Sequence, residues 1–358
     1  MSSSAYASSL GRLKPSFSAF LPKDTYRVLA GAKDANEIAK LLAGTPYAAD
    51  VDRARTEYQG VTLLEVAVNR TFVRRNRQAL EATPFAGRLV VGAYLTRWDI
   101  QNIELILSAR AQGRAVTGTE EHIVSSREIP AGLYAGVMTL DDVRILLAQP
   151  TVEATVAALV KYGYGTTILP LLETFARSHN IFPILGALDR EYYRRVLAAA
   201  RFFQGDEWVV RALLQSEIDE RNGLLLLKGK HLGLPIDELS GRWLDGGTLS
   251  FSAVPDLYTA RTVPELAGRL ADRFPSIGEG ASEYQTAESL SGYESALERD
   301  RAILELKRLR TYPLSLGVIF TYLLLAELER RDLRRIIFGR VYGLSGDRLL
   351  PLLVSPRL

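Results

Sequence analysis

The chain has no cysteine, and only two methionines, three tryptophans and three histidines among its 358 residues. Without cysteine there can be no disulfide, thiol nucleophile or thiolate-held zinc or iron–sulfur centre. His122, His179 and His231 lie far apart and outside the H-E-x-x-H spacing, so each reads as a surface or capping residue. Neither G-x-G-x-x-G nor G-x-S-x-G occurs. Lys228-Gly229-Lys230-His231 superficially suggests a phosphate loop. The spacing from Gly223 is wrong, however, no Ser or Thr follows Lys230, and the stretch reads as helix. Acid pairs such as Glu120-Glu121 and Asp141-Asp142 read as solvated loop or first-turn positions. An enzyme would have to be built on Asp99, Asp219 or the histidines, which form no reactive set. The expectation is a chain without catalysis, metal, cofactor or direct small-molecule ligand.

Strand patterning is also scarce, since Thr248-Leu249-Ser250-Phe251-Ser252 is too short and isolated to carry a sheet. The apolar run from Leu314 ends at Ala326, short of the ~20 residues a membrane span needs. Residues Met1 to Arg12 lack the apolar core of a signal peptide, which points to the cytoplasm. Hydrophobic residues make up 47% and charged residues 24%, a soluble globular balance. A net charge of +3 provides no strong field for nucleic acid or membrane. Arginine supplies 36 of the 44 basic residues, which favours fixed, bidentate ion pairs over loosely solvated charge.

What the chain does have is a register that recurs three times. Counting back from Gly113, Gly233 and Gly343, position −14 holds Asp99, Asp219 and Glu329, and −11 holds Asn102, Asn222 and Asp332. Position −3 holds Arg110, Lys230 and Arg340, and −7 and −6 are apolar in each case. At 100° per residue, positions −14, −7 and −3 fall within about 40°, so polar groups sit inside an apolar stripe. Such groups need partners at a cost of about 1–3 kcal/mol each if unmet. Two readings follow: an intrahelical acid–cation network bracing each repeat, or three faces converging on a shared axis or partner.

Earlier markers recur in the same order. Pro22-Lys23-Asp24 seeds one short helix and Asp34 caps the next, while similar stretches are anchored on Glu153 and Glu265. Helices opening near Leu64, Leu172 and Tyr293 run toward basic turns such as Arg74-Arg75-Asn76-Arg77 and Tyr192-Tyr193-Arg194-Arg195. The spacing predicts long helices over 88–113, 208–233 and 318–343, the last one starting at Pro313. Pro275 to Gly292 reads as a mobile loop. The fold class is therefore all-α: a tail over 1–20 and three similar helical units over 21–129, 130–247 and 248–358.

Tyr312-Pro313-Leu314-Ser315-Leu316-Gly317-Val318-Ile319-Phe320 and Asp332-Leu333-Arg334-Arg335-Ile336-Ile337-Phe338-Gly339-Arg340 resemble the C-terminal signature of the C subunit of A-type and bacterial V-type ATPases. The d subunit of the eukaryotic vacuolar pump is related to that family. Trp98-Asp99-Ile100-Gln101-Asn102-Ile103 and Glu217-Ile218-Asp219-Glu220-Arg221-Asn222 resemble its other two blocks, so the resemblance spans essentially the whole chain, Tyr6-Ala7 included. It implies three helical units arranged as a funnel and a non-catalytic role. The family member caps the membrane rotor ring on the cytoplasmic side and receives the foot of the central stalk. The partners implied are the stalk subunits and the ring. Arg74, Arg75, Arg330 and Arg331 are the candidate contacts. Two departures stand out: Gly11-Arg12-Leu13-Lys14-Pro15 is less basic than is usual, and Gly223 replaces the branched residue found at Ile103 and Leu333, weakening that helix by about 1 kcal/mol. The alternative reading is a helical scaffold outside any rotary ATPase.

Overall fold

A computed structural model describes residues 3–114, 138–201 and 207–355. Every regular element among them is helical. The chain begins with α1 (Ser3–Phe17), α2 (Lys23–Ala30), α3 (Ala35–Leu42), α4 (Ala48–Arg55), α5 (Gly60–Ala82), α6 (Arg88–Leu95) and α7 (Arg97–Ala111). It continues with α8 (Leu140–Leu147), α9 (Val152–Leu159), α10 (Gly165–Ile168), α11 (Leu172–Ser178), α12 (Phe182–Arg201) and α13 (Glu207–His231). Last come α14 (Ile236–Ser240), α15 (Val254–Tyr258), α16 (Val263–Leu270), α17 (Ala281–Ala287), α18 (Ser291–Thr311), α19 (Gly317–Val341) and α20 (Gly346–Leu349).

The three glycines end α7, α13 and α19 in one way. Gly113, Gly233 and Gly343 have φ of 66°, 66° and 79°, the left-handed region that costs glycine nothing. The next residue's N–H then reaches back five positions, Arg114 to Ala109 at 2.9 Å, Leu234 to Gly229 at 2.8 Å and Leu344 to Gly339 at 2.8 Å. These are Schellman closures. Short helices α3, α9 and α16 begin alike, with Asp34 accepting from Glu37 N, Thr151 from Ala154 N and Thr262 from Glu265 N. The middle match is thus Ala154, one residue beyond Glu153.

Packing runs forward from each glycine-ended helix. α7 lies on α8, α9 and α12, α13 on α14, α16 and α18, and α19 returns to α2, α3 and α5. The apolar clusters follow that offset. One joins Leu29, Ile38, Leu42 and Leu64 to Leu333, Ile336, Ile337 and Leu349. Another joins Leu226 and Leu227 to Leu239, Leu266, Leu270 and Leu297, and a larger cluster fills the rest. Each such fully buried side chain contributes about 1.5–3 kcal/mol.

Several expectations are corrected. Residues Ser3–Phe17 of the tail are helical and pack on α5 and α19, with Phe17 and Phe20 edge-on to Tyr322 at 5.3 and 5.4 Å. Pro313 lies outside α19; Ser315 Oγ accepts from Gly317 N at 2.9 Å where that helix starts. The first long helix is interrupted at Thr96, whose hydroxyl donates to Ala93 O at 2.7 Å. Arg74–Arg77 and Tyr192–Arg195 are interior turns of α5 and α12, not connecting turns. Pro275 to Gly292 holds a 3-10 turn, α17 and the start of α18. Gly223 leaves α13 unbroken, and its missing Cβ makes room for Phe274, which would lie 3.1 Å away. His179 caps α11 in a left-handed conformation, as a capping reading requires, while His122 and Glu120-Glu121 fall outside the described residues.

Candidate functional site

The recurring polar residues brace each glycine-ended helix against the layer it packs on. Arg110 donates to Leu147 O, Lys230 Nζ to Tyr258 O at 2.9 Å and Arg340 Nε to Ala32 O at 2.6 Å. Each of those carbonyls lies at the end of the short helix before a capped one, and Arg340 reaches back across almost the whole chain. At −11, Asn222 exchanges hydrogen bonds of 2.8 and 3.0 Å with Leu244, Asp332 accepts from Val354 N and Ser355 N, and Asn102 is buried. At −14, Asp219 accepts from the N–H groups of Thr248 and Leu249, both at 2.8 Å, and from Arg273. Glu329 accepts from Leu21 N at 2.6 Å, Tyr47 Oη at 2.7 Å and Arg75 at 2.5 Å.

Asp99 differs from its two counterparts. It is 1% exposed and, among the described residues, neither carboxyl oxygen has a hydrogen-bond partner. Burial pushes it up to about 8, so it is protonated at neutral pH. Apart from the pairing of Asp332 with Arg335 at 3.4 Å within α19, the bracing contacts join each helix to neighbouring segments outside it.

A second stripe, about 140–180° around each helix from the first, faces the shared interior. Positions −16, −12, −9 and −5 of α7, α13 and α19, all but Glu217 and Ser108, line one cleft of about 900 Å³. Gln101 and Glu104 come from α7, Arg221, Leu224 and Lys228 from α13, and Glu327, Arg331, Arg334 and Phe338 from α19. The three −16 residues meet in the buried interior. Arg97 pairs with Glu217 and lies 3.7 Å from Glu327. Arg301 on α18 pairs with Glu220, with Glu305 at 3.2 Å and with Glu327 at 4.0 Å. Burial alone would raise Glu217, but Arg97, Arg301 and Arg221 outweigh it and hold the carboxyl at about 2. Burial raises Glu305 to about 8, with Arg301 opposing.

The four candidate contact arginines separate. Arg75 is buried against Glu329, with its guanidinium 4.3 Å from the Phe20 ring centre. Arg74 is half-exposed and holds Asp50 at 2.7 Å. Arg330 and Arg331 both line the cleft, Arg330 buried and Arg331 tied to Glu298 and to Glu327 at 2.7 Å. Arg97, Glu217, Glu327 and Arg301 carry the central cluster yet escape a search for like residues at like positions. The signal that finds them is register equivalence with complementary charge. This arrangement offers polar, fixed contact surface with no nucleophile–base pair. Among the described residues no His, Asp or Glu group could hold a metal, and no helix is long and apolar enough to cross a membrane.

Comparison with known proteins covers nearly the whole chain. Residues 10–350 match the ATP synthase (C/AC39) subunit family. The C subunit of the A-type ATP synthase of Thermoplasma acidophilum is 32% identical over 352 residues, 98% of this chain and 99% of that one. Its counterpart in Thermoplasma volcanium is 31% identical over 98% of both, and that of Haloquadratum walsbyi 30% identical over 94% and 95%. Matches this long leave no part of the three-helix framework outside the likeness, and the chain belongs to the ATP synthase (C/AC39) subunit family.

Proposed function

We propose that this chain is the non-catalytic rotor adaptor of an A/V-type rotary ATPase, joining the central stalk to the membrane rotor ring and passing torque between them. It would sit on the cytoplasmic face as three similar units around a funnel, serving ion transport coupled to ATP synthesis or hydrolysis. The observation that carries this reading is the shared cleft: α7, α13 and α19 line it with one register stripe and are tied together by charge at position −16. An adaptor under torque must resist sideways slip. Apolar contact is non-directional, whereas charge-assisted hydrogen bonds fix orientation. A polar socket walled by three mutually braced helices meets that requirement for the stalk, and the opposite end would face the ring. The relatives, each named as part of an A-type ATP synthase, support the same placement.

Reconstitution tests it. A complex assembled without this chain should keep ATP hydrolysis by its soluble head and lose ion transport driven by that hydrolysis. Coupled transport that persists without the chain would overturn the reading.

A further inference from the structure

The α19 wall of the cleft holds a buried cation with incomplete pairing. Arg330 is 5% exposed and lines the cleft. Its Nε donates to Asn69 Oδ1 at 2.8 Å, and its guanidinium lies 5.1 Å from the Phe72 ring centre, but among the described residues Nη2 has no hydrogen-bond partner. One turn further along the same wall, Arg334 holds Glu65 at 3.1 Å through Nη2 and leaves its Nε without a partner. The carboxylates near Arg330 are engaged elsewhere, Glu65 by Arg334 and Glu327 by Arg331 and Arg97. Burial, and then the Arg334 charge, pull Arg330 down to about 9.

A buried guanidinium without an anion is unfavourable, and a carboxylate brought from outside would satisfy the free N–H groups in a charge-assisted, forked geometry. At the matching positions the other two walls carry no cation. The positions matching Arg330 and Arg334 are Ile100 and Glu104 on α7, and Glu220 and Leu224 on α13. Walls of like register would accept a partner in more than one rotational setting, and a cation pair present on one wall alone at these two positions favours one of them.

We propose that Arg330 and Arg334 receive an acidic side chain of the protein that seats in the cleft and so fix its rotational setting. This rests on the reading of the cleft as the stalk socket. The test titrates the full chain against the soluble ATPase head carrying its central stalk, over a range of KCl, with inorganic phosphate and ATP as separate probes. Arg330→Met keeps the stem that packs on Phe72, and Arg334→Met is the second variant. Each should weaken head binding at least about tenfold and flatten its salt dependence, because removing one member of a buried charge pair strands the other. Arg330→Lys should keep the salt dependence and part of the affinity, and Arg348→Met, on exposed α20, should change nothing. The thermal midpoint of Arg330→Met should fall little, since that buried charge has no carboxylate of its own, whereas Arg334→Met also releases Glu65 and should lower the midpoint, so Arg330→Met is the deciding variant.

Unchanged binding in both variants would overturn the proposal. So would a midpoint loss of Arg330→Met that accounts for its binding loss, or phosphate or ATP binding tightly to the free chain. Failure here, with coupling still dependent on the chain, leaves the adaptor reading intact. Coupling without the chain removes both.

Discussion

Arg75 on α5 donates to Glu329 on α19 at 2.5 Å, a contact that spans 254 residues of chain and is closed to solvent on both sides. Tyr47 and Leu21 N complete the same carboxylate, so the N-terminal layer and the last long helix share one polar knot. Arg75→Met or Glu329→Gln should each cost about 3–5 kcal/mol, because either leaves a buried group without its partner. The double variant should cost less than the sum by at least ~1 kcal/mol, measured by denaturant unfolding. Additive losses would show that the two residues are stabilised separately.

Asp99 gives a pH prediction of known sign. Its folded carboxyl lies at about 8, above the ordinary value of about 4, so the folded state binds the proton more tightly. Stability is therefore unpenalised below about pH 4 and falls as pH rises to about 8. Asp99→Asn should be near neutral at pH 4 and stabilising at pH 8 by roughly a few kcal/mol, the difference growing across that window. Melting curves of both proteins as a function of pH check this. A gap that does not change with pH would mean the carboxyl is not desolvated.

The bracing stripe was legible because glycine, cation and acid keep one type at one position, and polar groups inside an apolar stripe announce that something must meet them. What met them was not legible. Asp219 is satisfied by the backbone N–H groups of Thr248 and Leu249, which any residue there supplies equally. The central cluster was hidden for a different reason. Residues that meet from three different helices complement one another in charge, so Arg97, Glu217 and Glu327 look unrelated when compared for likeness. Pro313 misled because its fixed φ suits a first helical turn but equally suits the tight connection made here. Gly223 gave no hint of Phe274, a contact made across 51 residues of chain.

Gly339 tests the packing of the layer behind α19. A Cβ there would lie 2.2 Å from Leu349 Cδ2, too close for either atom to stay in place. Gly339→Ala should therefore cost about 1–3 kcal/mol, although alanine is the better helix former. Adding Leu349→Ala should recover part of that loss relative to Leu349→Ala alone. Chemical denaturation of the three variants decides it, and a stabilising Gly339→Ala would refute the close approach.

The most direct test of the adaptor account uses the chain's lack of cysteine. Gln101→Cys places one thiol on the cleft wall, where an attached photo-cross-linker faces whatever occupies the cleft in the intact complex. The account predicts cross-links to a protein of the central stalk, and ATP-driven ion transport that survives them, because parts that turn together can be joined without harm. Cross-links to a stationary part of the complex, or transport abolished by a link to the stalk, would contradict it.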